Sequence, residues 1–329
     1  MDKKHFLGFL VGEVIAIVCI LHLMLPSPCH CGGVPTGQEL SIMFNGRSAT
    51  HAGPKLDRAD DQRLLELLET ASMEDKTIIV TFTNEAFAAP GSLMDLFLES
   101  FRTGVKTEAL LKHLLIVAVD AKAYERCRQV HPLCYSSLAI SDGTDFSSEQ
   151  PYMAKDYLDM MWRRNRFQAR ILELGFNFVF TDVDIIWFRN PLLRIPVGAD
   201  IAMSSDVFYG DNPYDLNKNA NGGFLYVKSR PRTIAFYGDW YQARAADPGE
   251  NEQLLFDKVK RELAARHGVV VQFVDTVYLA GFCQPTNDFY KACTFHGNCI
   301  RGLQTKQDSL RRVLNDWKQF RANNTELMD

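Results

Sequence analysis

After residue 76, short apolar runs alternate along the chain with longer segments in which apolar residues recur every three or four positions. The first pattern predicts buried strands and the second predicts amphipathic helices. We predict strands at 77–82, 114–119, 137–140, 178–180, 200–203, 223–227 and 269–274. We predict helices at 61–71, 91–103, 121–131, 152–174, 232–241, 252–265 and 309–320. Strands that alternate with helices indicate an α/β domain with a mostly parallel sheet and ligands at the carboxyl ends of its strands.

An apolar stretch, Phe6–Leu25, precedes this pattern and is long enough to cross a bilayer. Lys3 and Lys4 before it predict a cytoplasmic N-terminus, with the rest of the chain across the membrane. Glu13 opposes insertion by about 2.5–3.5 kcal/mol. A cleaved signal peptide is the alternative, but Pro26-Ser27-Pro28-Cys29 lacks the small residues of a cleavage site. We therefore expect an uncleaved signal-anchor.

Residues 26–58 are rich in proline and glycine, which indicates a linker that holds a folded domain away from the membrane. We expect a cytoplasmic tail at 1–5, the anchor at 6–25, a stem at 26–72, one folded domain at 73–322 and a C-terminal tail at 323–329.

Composition narrows the function classes. The chain has 47% hydrophobic and 23% charged residues, as expected for a globular protein. Its net charge of −4 argues against nucleic-acid binding, which needs a basic field to engage phosphates. Asn323-Asn324-Thr325 is the one glycosylation acceptor pattern in the sequence.

Of the eight cysteines, seven follow the anchor, where a secretory compartment permits disulfides. They fall into three groups: Cys29 and Cys31, Cys127 and Cys134, and Cys283, Cys293 and Cys299. The members of the second group are close enough in sequence for a local disulfide. The odd number leaves one cysteine free or joined to another chain, and a stem cysteine is the candidate for a disulfide-linked dimer.

Two carboxylates separated by one residue, Asp182 and Asp184, directly follow the apolar run at 178–180. Side chains alternate along a strand, so both carboxylates point the same way if the strand geometry continues. Converging carboxylates repel each other unless a cation lies between them. Mg²⁺ or Mn²⁺ suits such a site and keeps positions free for phosphate oxygens. A solvated turn at the strand end is the simpler alternative.

A phosphatase that uses Asp182 as its phosphoryl acceptor is a further alternative, because an apolar strand ending in Asp-x-Asp also opens that kind of site. Such folds begin with this strand. Here several predicted strands and helices precede it, which counts against the phosphatase.

The long predicted helix at 152–174 combines basic residues with an apolar stripe that consists of Met160, Phe167, Ile171 and Leu174. Arg163, Arg166 and Arg170 line up on its flank. One of them is expected to reach a metal-bound diphosphate. The alternative is that all three extend beside the buried stripe and keep their charges in water.

Other polar segments are candidates for the same site. Asn221-Gly222-Gly223 enters a predicted strand, where glycines permit close approach to a ligand and asparagine can bond hydroxyls, although a plain turn also explains it. Glu252 and Gln253 follow Asn251, a residue typical of a helix N-cap. His296 precedes a glycine turn and offers a nitrogen ligand to the same cation.

The segment 180–191, with the sequence FTDVDIIWFRNP, resembles the core signature of the plant and algal nucleotide-diphospho-sugar transferases, glycosyltransferase family 77. Further segments match in the expected order: Thr81-Phe82-Thr83-Asn84, Met161-Trp162-Arg163-Arg164, Asn221-Gly222-Gly223-Phe224, Glu252-Gln253, Gly281-Phe282-Cys283 and His296-Gly297-Asn298-Cys299. The resemblance spans roughly residues 75–320, and the ordered combination is specific although each segment alone is weak.

The resemblance implies a GT-A fold, a Rossmann-like and mostly parallel sheet flanked by helices, behind the anchor and stem. It implies a retaining transferase that depends on Mn²⁺ or Mg²⁺, uses a UDP-sugar donor and is a single-pass type II Golgi membrane protein. Known family activities add arabinose, xylose or galactose to cell-wall polymers or hydroxyproline-rich glycoproteins. An inactive transferase-like subunit that binds glycans or a partner enzyme is the alternative.

Carried over to this chain, the resemblance implies that Asp182, Asp184 and His296 hold the metal. Arg166 is expected to contact the donor, with Lys306 near its diphosphate. The uridine end of the first strand is expected to be lined by Thr81, Thr83 and Asn84.

The residues expected to border the transferred sugar are Asn221, Gly222, Gly223 and Gln253. Glu252 is a candidate nucleophile for a covalent retaining mechanism. We favour attack from the same face as the leaving phosphate, because a glutamate at a helix start can equally bond sugar hydroxyls. Leu254 departs from the family pattern, which often has a polar residue there, so sugar choice or acceptor fit is expected to differ.

Overall fold

The computed structural model describes residues 58–137 and 146–324. The helices in these ranges are α1 Arg58–Ala71, α2 Glu85–Ala88, α3 Leu93–Thr103, α4 Ala121–Val130, α5 Lys155–Glu173, α6 Pro231–Ala243, α7 Glu252–His267 and α8 Leu303–Asn323, with short 3-10 helices at Glu108–His113 and Pro191–Arg194. The strands are β1 Thr77–Thr83, β2 Leu114–Ala118, β3 Cys134–Ser136, β4 Asn177–Thr181, β5 Ile185–Trp187, β6 Ile201–Ser205, β7 Ala220–Val227, β8 Val271–Phe273, β9 Leu279–Gly281 and β10 Thr294–His296.

Seven strands form the main sheet, in the order β3-β2-β1-β4-β7-β6-β8. Every strand in it runs parallel to the others except β7, which is antiparallel to both neighbours, β4 and β6. The predicted α/β class with a mostly parallel sheet is therefore confirmed. The reversal of β7 was not predicted, although no helix separates it from β6, and a parallel return normally needs such a crossover.

Helices cover both faces of this sheet because its strands carry apolar residues on alternate sides. On β1, Ile78 and Val80 belong to the core beneath α1, α5, α6 and α7, whereas Ile79 belongs to the core beneath α3, α4 and α8. Leu64 and Leu68 of α1 are fully buried in the first core. We had expected the folded domain to begin at residue 73, but packing against the sheet already begins within α1.

A second, smaller sheet has the order β5-β10-β9. β10 is antiparallel to β5 and parallel to β9, so His296 lies opposite both Ile185 and Gly281. Each of these strands has three residues, too few to give a periodic pattern, and the sheet was not predicted. β5 begins one residue after Asp184, so the Asp182–Asp184 turn carries the chain from the main sheet into the small one.

Several helices and strands begin or end at residues other than those predicted. The long helix begins at Lys155 rather than 152, the last helix begins at Leu303 rather than 309, and the strand predicted at 269–274 contracts to Val271–Phe273. The short strand predicted at 137–140 lies at Cys134–Ser136, and residues 138–140 are outside the described ranges.

Within the described residues, no helix combines the length and apolarity needed to span a bilayer. The predicted anchor and most of the predicted stem precede residue 58 and lie outside those ranges.

Two disulfides connect four of the predicted cysteines. Cys127–Cys134 joins α4 to β3, which confirms the local pairing, and Cys283–Cys299 joins the ends of β9 and β10. Cys293 is a buried free thiol and therefore accounts for the odd cysteine. The stem cysteines lie outside the described residues, and the odd count no longer requires one of them to bond a second chain.

Candidate active site

The Asp182–Asp184 turn lies at the carboxyl edge of the main sheet and is fixed by backbone hydrogen bonds from two directions. The N–H of Asp182 donates to the carbonyl of Gly223 at 2.7 Å, which continues the pairing of β4 with β7. The N–H of Gly297 donates to the carbonyl of Asp184 at 2.9 Å. Both sheets thus fix the backbone that carries the two carboxylates.

The carboxylates converge on one imidazole. His296 Nε2 lies 3.6 Å from Asp182 Oδ2 and 3.3 Å from Asp184 Oδ1. Each of the three residues offers a ligand atom, and these atoms all lie within 4.8 Å of one another. Two carboxylate oxygens and an imidazole nitrogen are ligands that Mn²⁺ accepts. This geometry fits the metal set predicted from the sequence.

The remaining oxygen of each carboxylate is bound by a basic side chain. Arg164 Nη1 donates to Asp182 Oδ1 at 2.9 Å, and Lys306 Nζ donates to Asp184 Oδ2 at 2.6 Å. The oxygens that face His296 are therefore distinct from those that hold Arg164 and Lys306. A cation can bind between the inner oxygens without displacing either basic side chain.

Arg164 also links two carboxylates. Its Nη2 donates to Glu252 Oε1 at 2.5 Å, and its guanidinium lies 4.6 Å from the centre of the Phe180 ring. We had considered only the flanking arginines of this helix. The signal for Arg164 was its place within the apolar stripe, four residues after Met160 and three before Phe167. An arginine in a buried stripe must be paired, because an unpaired buried charge is costly.

Electrostatics set the proton affinities of these groups. Burial raises the pKa of Asp182, and the charge of Asp184 adds to that effect although Arg164 opposes it. Burial also acts to raise the pKa of Asp184, but Lys306 and His296 outweigh it and hold that pKa well below its usual value. Burial alone would lower the pKa of His296 and of Lys306, yet the charge of Asp184 raises both. Cations therefore balance Asp184 before any metal binds.

The start of β7 forms one wall of the site. The N–H of Gly222 donates to Gln253 Oε1 at 2.7 Å, and the N–H of Gly223 donates to Asn221 Oδ1 at 2.9 Å. A Cβ on Gly223 would lie 2.3 Å from His296 Cε1, whereas a Cβ on Gly222 would meet its nearest neighbour at 3.5 Å. Only Gly223 is needed for the imidazole to approach the strand.

A polar cavity adjoins His296, between β6, β7 and the small sheet. Polar side chains that line it are Ser204, Ser205, Asp206, Asn221, His296 and Asn298. Asp206 Oδ1 accepts from Asn221 Nδ2 at 2.7 Å and from Asn298 Nδ2 at 3.0 Å. The Ser205 hydroxyl is buried without a hydrogen-bond partner. Asp206 and Ser205 were missed from the sequence, since nothing in their spacing distinguishes them from ordinary strand-end residues.

A second cavity lies on the other side of Arg164, at the carboxyl ends of β1 and β2. It is lined by Phe82, Val119, Ser137, Phe146, Met160, Arg163, Arg164 and Phe167. Glu252, in turn, has one buried oxygen, Oε2, without a hydrogen-bond partner. Arg164 lines this second cavity and bonds Asp182, and His296 lines the polar cavity, so both cavities adjoin the group of carboxylates.

The residues predicted to line the uridine end of β1 are arranged differently from expectation. Thr81 is fully buried and its hydroxyl has no partner, and the hydroxyl of Thr83 donates to the Asn84 carbonyl at 3.4 Å. Asn84 caps α2 and donates to the Phe146 carbonyl at 3.0 Å, which helps form the cavity wall. Phe82, which lies between the two threonines, is the strand residue that lines the cavity.

The three arginines predicted to flank α5 each contact a different residue. Arg166 lies over the Tyr241 ring with 5.0 Å between guanidinium and ring centre, Arg163 lies near Phe146, and Arg170 pairs with Asp61. Arg166 is thus not among the side chains that contact the carboxylates. The other predicted members of the site that the structure brings together are Asp182, Asp184, Asn221, Gly222, Gly223, Glu252, Gln253, His296 and Lys306.

A family model described as nucleotide-diphospho-sugar transferase matches residues 109–310, a range that includes every carboxylate and basic side chain of this site. The chain belongs to the nucleotide-diphospho-sugar transferase family. This transferase is 40% identical to an uncharacterised protein of Arabidopsis thaliana over 263 residues, which are 79% of this chain and 69% of that protein.

Two further A. thaliana relatives have named activities. Beta-arabinofuranosyltransferase RAY1 is 36% identical over 95 residues, 28% of this chain and 18% of that protein. UDP-D-xylose:L-fucose alpha-1,3-D-xylosyltransferase 1 is 21% identical over 194 residues, 59% of this chain and 49% of that protein. The nucleotide-diphospho-sugar transferase described here is accordingly a glycosyltransferase, and the phosphatase alternative is excluded.

Replacement of Gly223 by alanine tests the close approach of β7 to His296. We expect Gly223→Ala to weaken Mn²⁺ binding roughly 10- to 100-fold, the usual effect of disturbing a residue that supports a metal-binding side chain. Gly222→Ala is the matched control, because its Cβ meets only ordinary contacts. Isothermal titration with Mn²⁺ measures both. Equal affinities for the two variants would contradict the assignment of Gly223 as the residue that makes room for the imidazole.

Proposed function

We propose that this glycosyltransferase is metal-dependent and transfers a sugar from a UDP-sugar donor to a cell-wall polysaccharide or glycoprotein. The observation that carries the proposal is the arrangement of Asp182, Asp184 and His296, whose facing atoms lie within 4.8 Å at the carboxyl edge of the sheet. Ligands bind at that edge in open α/β sheets. Mn²⁺ or Mg²⁺ at this position would neutralise charge on the departing diphosphate.

The chain's own residues have separable roles in this proposal. Arg164 and Lys306 each hold one carboxylate from outside, so the inner oxygens stay directed at the cation. Preorganised positive charge stabilises a leaving group without reorganisation during the reaction. Lys306 is the basic residue that we assign to the diphosphate. Arg164 takes the place on α5 that we had expected Arg166 to take.

The two cavities support a placement for the two halves of the donor. The cavity lined by Phe82 and Phe167 is mainly apolar, and we assign it to the uridine. The polar cavity beside His296 offers hydroxyl, amide and carboxylate groups, and we assign it to the sugar. Ser205 Oγ and Glu252 Oε2 are buried without hydrogen-bond partners. Hydroxyl groups of a bound sugar would provide hydrogen bonds to both atoms.

The named relatives favour a pentose donor. One is an arabinofuranosyltransferase and the other a xylosyltransferase that uses UDP-D-xylose. We propose arabinose or xylose as the transferred sugar, with galactose as the third candidate. A panel of the three UDP-sugars, assayed with Mn²⁺ for UDP release, distinguishes them. Donor binding without turnover for all three would favour the inactive glycan-binding or partner-binding subunit instead.

The metal site is tested by Asp184→Asn, which keeps the size of the side chain and removes its charge. We expect UDP-sugar turnover to fall by about 10²–10³-fold or more, because the leaving group loses its stabilising cation. The free energy of unfolding should change by about 1–2 kcal/mol at most, since Lys306 is partly exposed and water can solvate it.

Asp288→Asn is the control for Asp184→Asn, because Asp288 forms an exposed ion pair with Lys291 remote from the site. Turnover and Mn²⁺ affinity should both match those of the wild type. Unchanged Mn²⁺ affinity in Asp184→Asn would remove the basis of the proposed metal dependence.

For the mechanism we propose retention by attack on the same sugar face from which the phosphate departs. Glu252 is the only candidate nucleophile that we identified, and Arg164 already binds its Oε1. A carboxylate engaged by a guanidinium is a poor nucleophile, because the ion pair stabilises its negative charge. Gln253 is held by the Gly222 N–H and borders the sugar without taking part in bond formation.

Mass spectrometry of the 252–258 region after rapid quenching tests this mechanism. We expect no glycosyl adduct on Glu252 and expect NMR of the first product to show the anomeric configuration of the donor. An adduct on Glu252 would establish a covalent route. A product of inverted configuration would overturn retention itself.

We further propose a single-pass type II Golgi membrane protein with its catalytic domain in the lumen. The support is the apolar stretch Phe6–Leu25 behind Lys3 and Lys4, together with the two disulfides, which an oxidising lumen permits. Mass spectrometry of the intact mature protein is expected to find the N-terminal stretch present. A mature N-terminus near Cys29 would establish a cleaved signal peptide.

A further inference from the structure

The Cys283–Cys299 disulfide lies beside the predicted metal ligand His296. Cys283 follows the end of β9 by two residues, and Cys299 follows the end of β10 by three. The two strands are parallel neighbours, with His296 opposite Gly281. The disulfide therefore joins the two chain segments immediately after the strand ends, on the side where His296 meets the carboxylates.

The segment between His296 and Cys299 packs closely against the segment that follows β9. The Cys283 N–H donates to Asn298 Oδ1 at 3.3 Å, and Asn298 Nδ2 donates to Asp206 at 3.0 Å. A Cβ on Gly281 would lie 2.3 Å from Asn298 Oδ1. The chain after His296 is thus packed closely against the segment that follows β9.

The backbone of Cys299 is held in an unfavourable conformation. Its φ is 59°, in the left-handed region that residues with a Cβ seldom occupy. Such a conformation persists only where the surrounding structure determines it. The disulfide is the covalent bond that restrains this residue. Without it, Cys299 would be able to adopt a more favourable φ, which would alter the path of the chain that leads back through Asn298 to His296.

The backbone of His296 is held at the end of β10, where its carbonyl accepts from the Phe282 N–H at 3.2 Å. β10 has three residues, and His296 is the last of them. On its far side the chain leaves the sheet through Gly297, whose N–H bonds the Asp184 carbonyl. These backbone bonds flank His296 directly, and the disulfide joins the two chain segments just beyond them.

We propose that the Cys283–Cys299 disulfide is a positioning element of the metal site, which holds His296 against the two carboxylates. Opening the disulfide lowers the affinity of the site for divalent cations. The inference rests on the proposed function, because it takes the cation site as given. It goes beyond that function by making the site depend on the oxidation state of two residues that contact neither metal nor substrate.

The chain contains its own control. Cys127–Cys134 joins α4 to β3, at the edge of the main sheet, with β2 and β1 between it and β4. No residue of the candidate site lies on α4 or β3. Cys127 and Cys134 are also buried, whereas Cys299 is exposed. We therefore expect a reductant to open Cys283–Cys299 before Cys127–Cys134.

The test compares Cys283→Ala/Cys299→Ala with Cys127→Ala/Cys134→Ala in the full chain, by isothermal titration with Mn²⁺ and by thermal unfolding. We expect Tm to fall in both double variants, because each loses a cross-link. We expect Mn²⁺ affinity to fall roughly 10- to 100-fold only in the first, the usual effect of releasing a metal ligand from its support. Affinity within twofold of the wild type in Cys283→Ala/Cys299→Ala overturns the inference.

A thermodynamic cycle separates positioning of His296 from a general loss of structure. In the His296→Ala background, the Cys283→Ala/Cys299→Ala change should alter Mn²⁺ affinity by less than about twofold, since coupled residues are not additive. The same further loss in both backgrounds would overturn the proposed route through His296. A wild-type chain that binds no Mn²⁺ would instead overturn the metal site on which the inference rests.

Reduction of the folded wild type gives an independent measurement in case the variants fold poorly. A water-soluble phosphine takes oxygen from one water molecule to become the phosphine oxide, and the disulfide receives two electrons and two protons to become two thiols. After removal of the phosphine, alkylation and mass spectrometry of an aliquot identify the opened disulfide. Loss of Mn²⁺ affinity when Cys283 and Cys299 are alkylated and Cys127–Cys134 is still closed supports the inference, and retained affinity in that state overturns it.

Discussion

The repulsion between Asp182 and Asp184 is the constraint on which the rest of this site depends. Two carboxylates at the end of a buried strand are stable together only when positive charge surrounds them. Three elements that are distant in sequence supply it: Arg164 from α5, His296 from β10 and Lys306 from α8. The charge balance is complete only when these elements have packed together, so the site and the tertiary structure form as one unit.

Arg164 extends this balance to a third carboxylate. By bonding Asp182 and Glu252 at once, it connects β4 to the first turn of α7. Glu252 is nearly buried and has no other charged partner among the ion pairs of the described residues. Removing one partner from a buried pair typically costs about 3–5 kcal/mol. The arginine is therefore structural and electrostatic at the same time, which explains why it lies within an otherwise apolar stripe.

The sequence was sufficient for the features that depend on local pattern. The strand before Asp182 and the alternation of strands and helices were recognisable from residue type and spacing, and the structure brings His296 to both carboxylates, as the resemblance implied. The small sheet was not, because strands of three residues have no measurable period. Which arginine of α5 contacts the carboxylates was also not predictable, because a shift of one residue along a helix turns the side chain by about 100° around the helix axis. The sequence alone does not fix that rotation closely enough to distinguish Arg164 from Arg163.

In β1, too, the direction of individual side chains was harder to predict than the position of the strand. Thr81, Thr83 and Asn84 were selected by resemblance, and all lie at the correct end of β1. Strand alternation turns Phe82 towards α5 and the cavity, while Thr81 and Thr83 share the opposite face. Which strand-end residue faces the cavity thus depends on the parity of its position along the strand.

The antiparallel direction of β7 has a consequence for how substrate preference can vary. Because β7 starts at the active edge, Asn221, Gly222 and Gly223 belong to a strand of eight residues that pairs with β4 on one side and β6 on the other. At this wall Asn221 pairs with Ser204 of β6, and the Gly223 carbonyl accepts from the Asp182 N–H. The opposite side of the polar cavity is built from short strands and turns around Thr276 and Asn298. The two walls therefore differ in what a substitution can change: the β7 wall is tied to the sheet that carries Asp182, whereas the side chains of the other wall belong to short strands and turns.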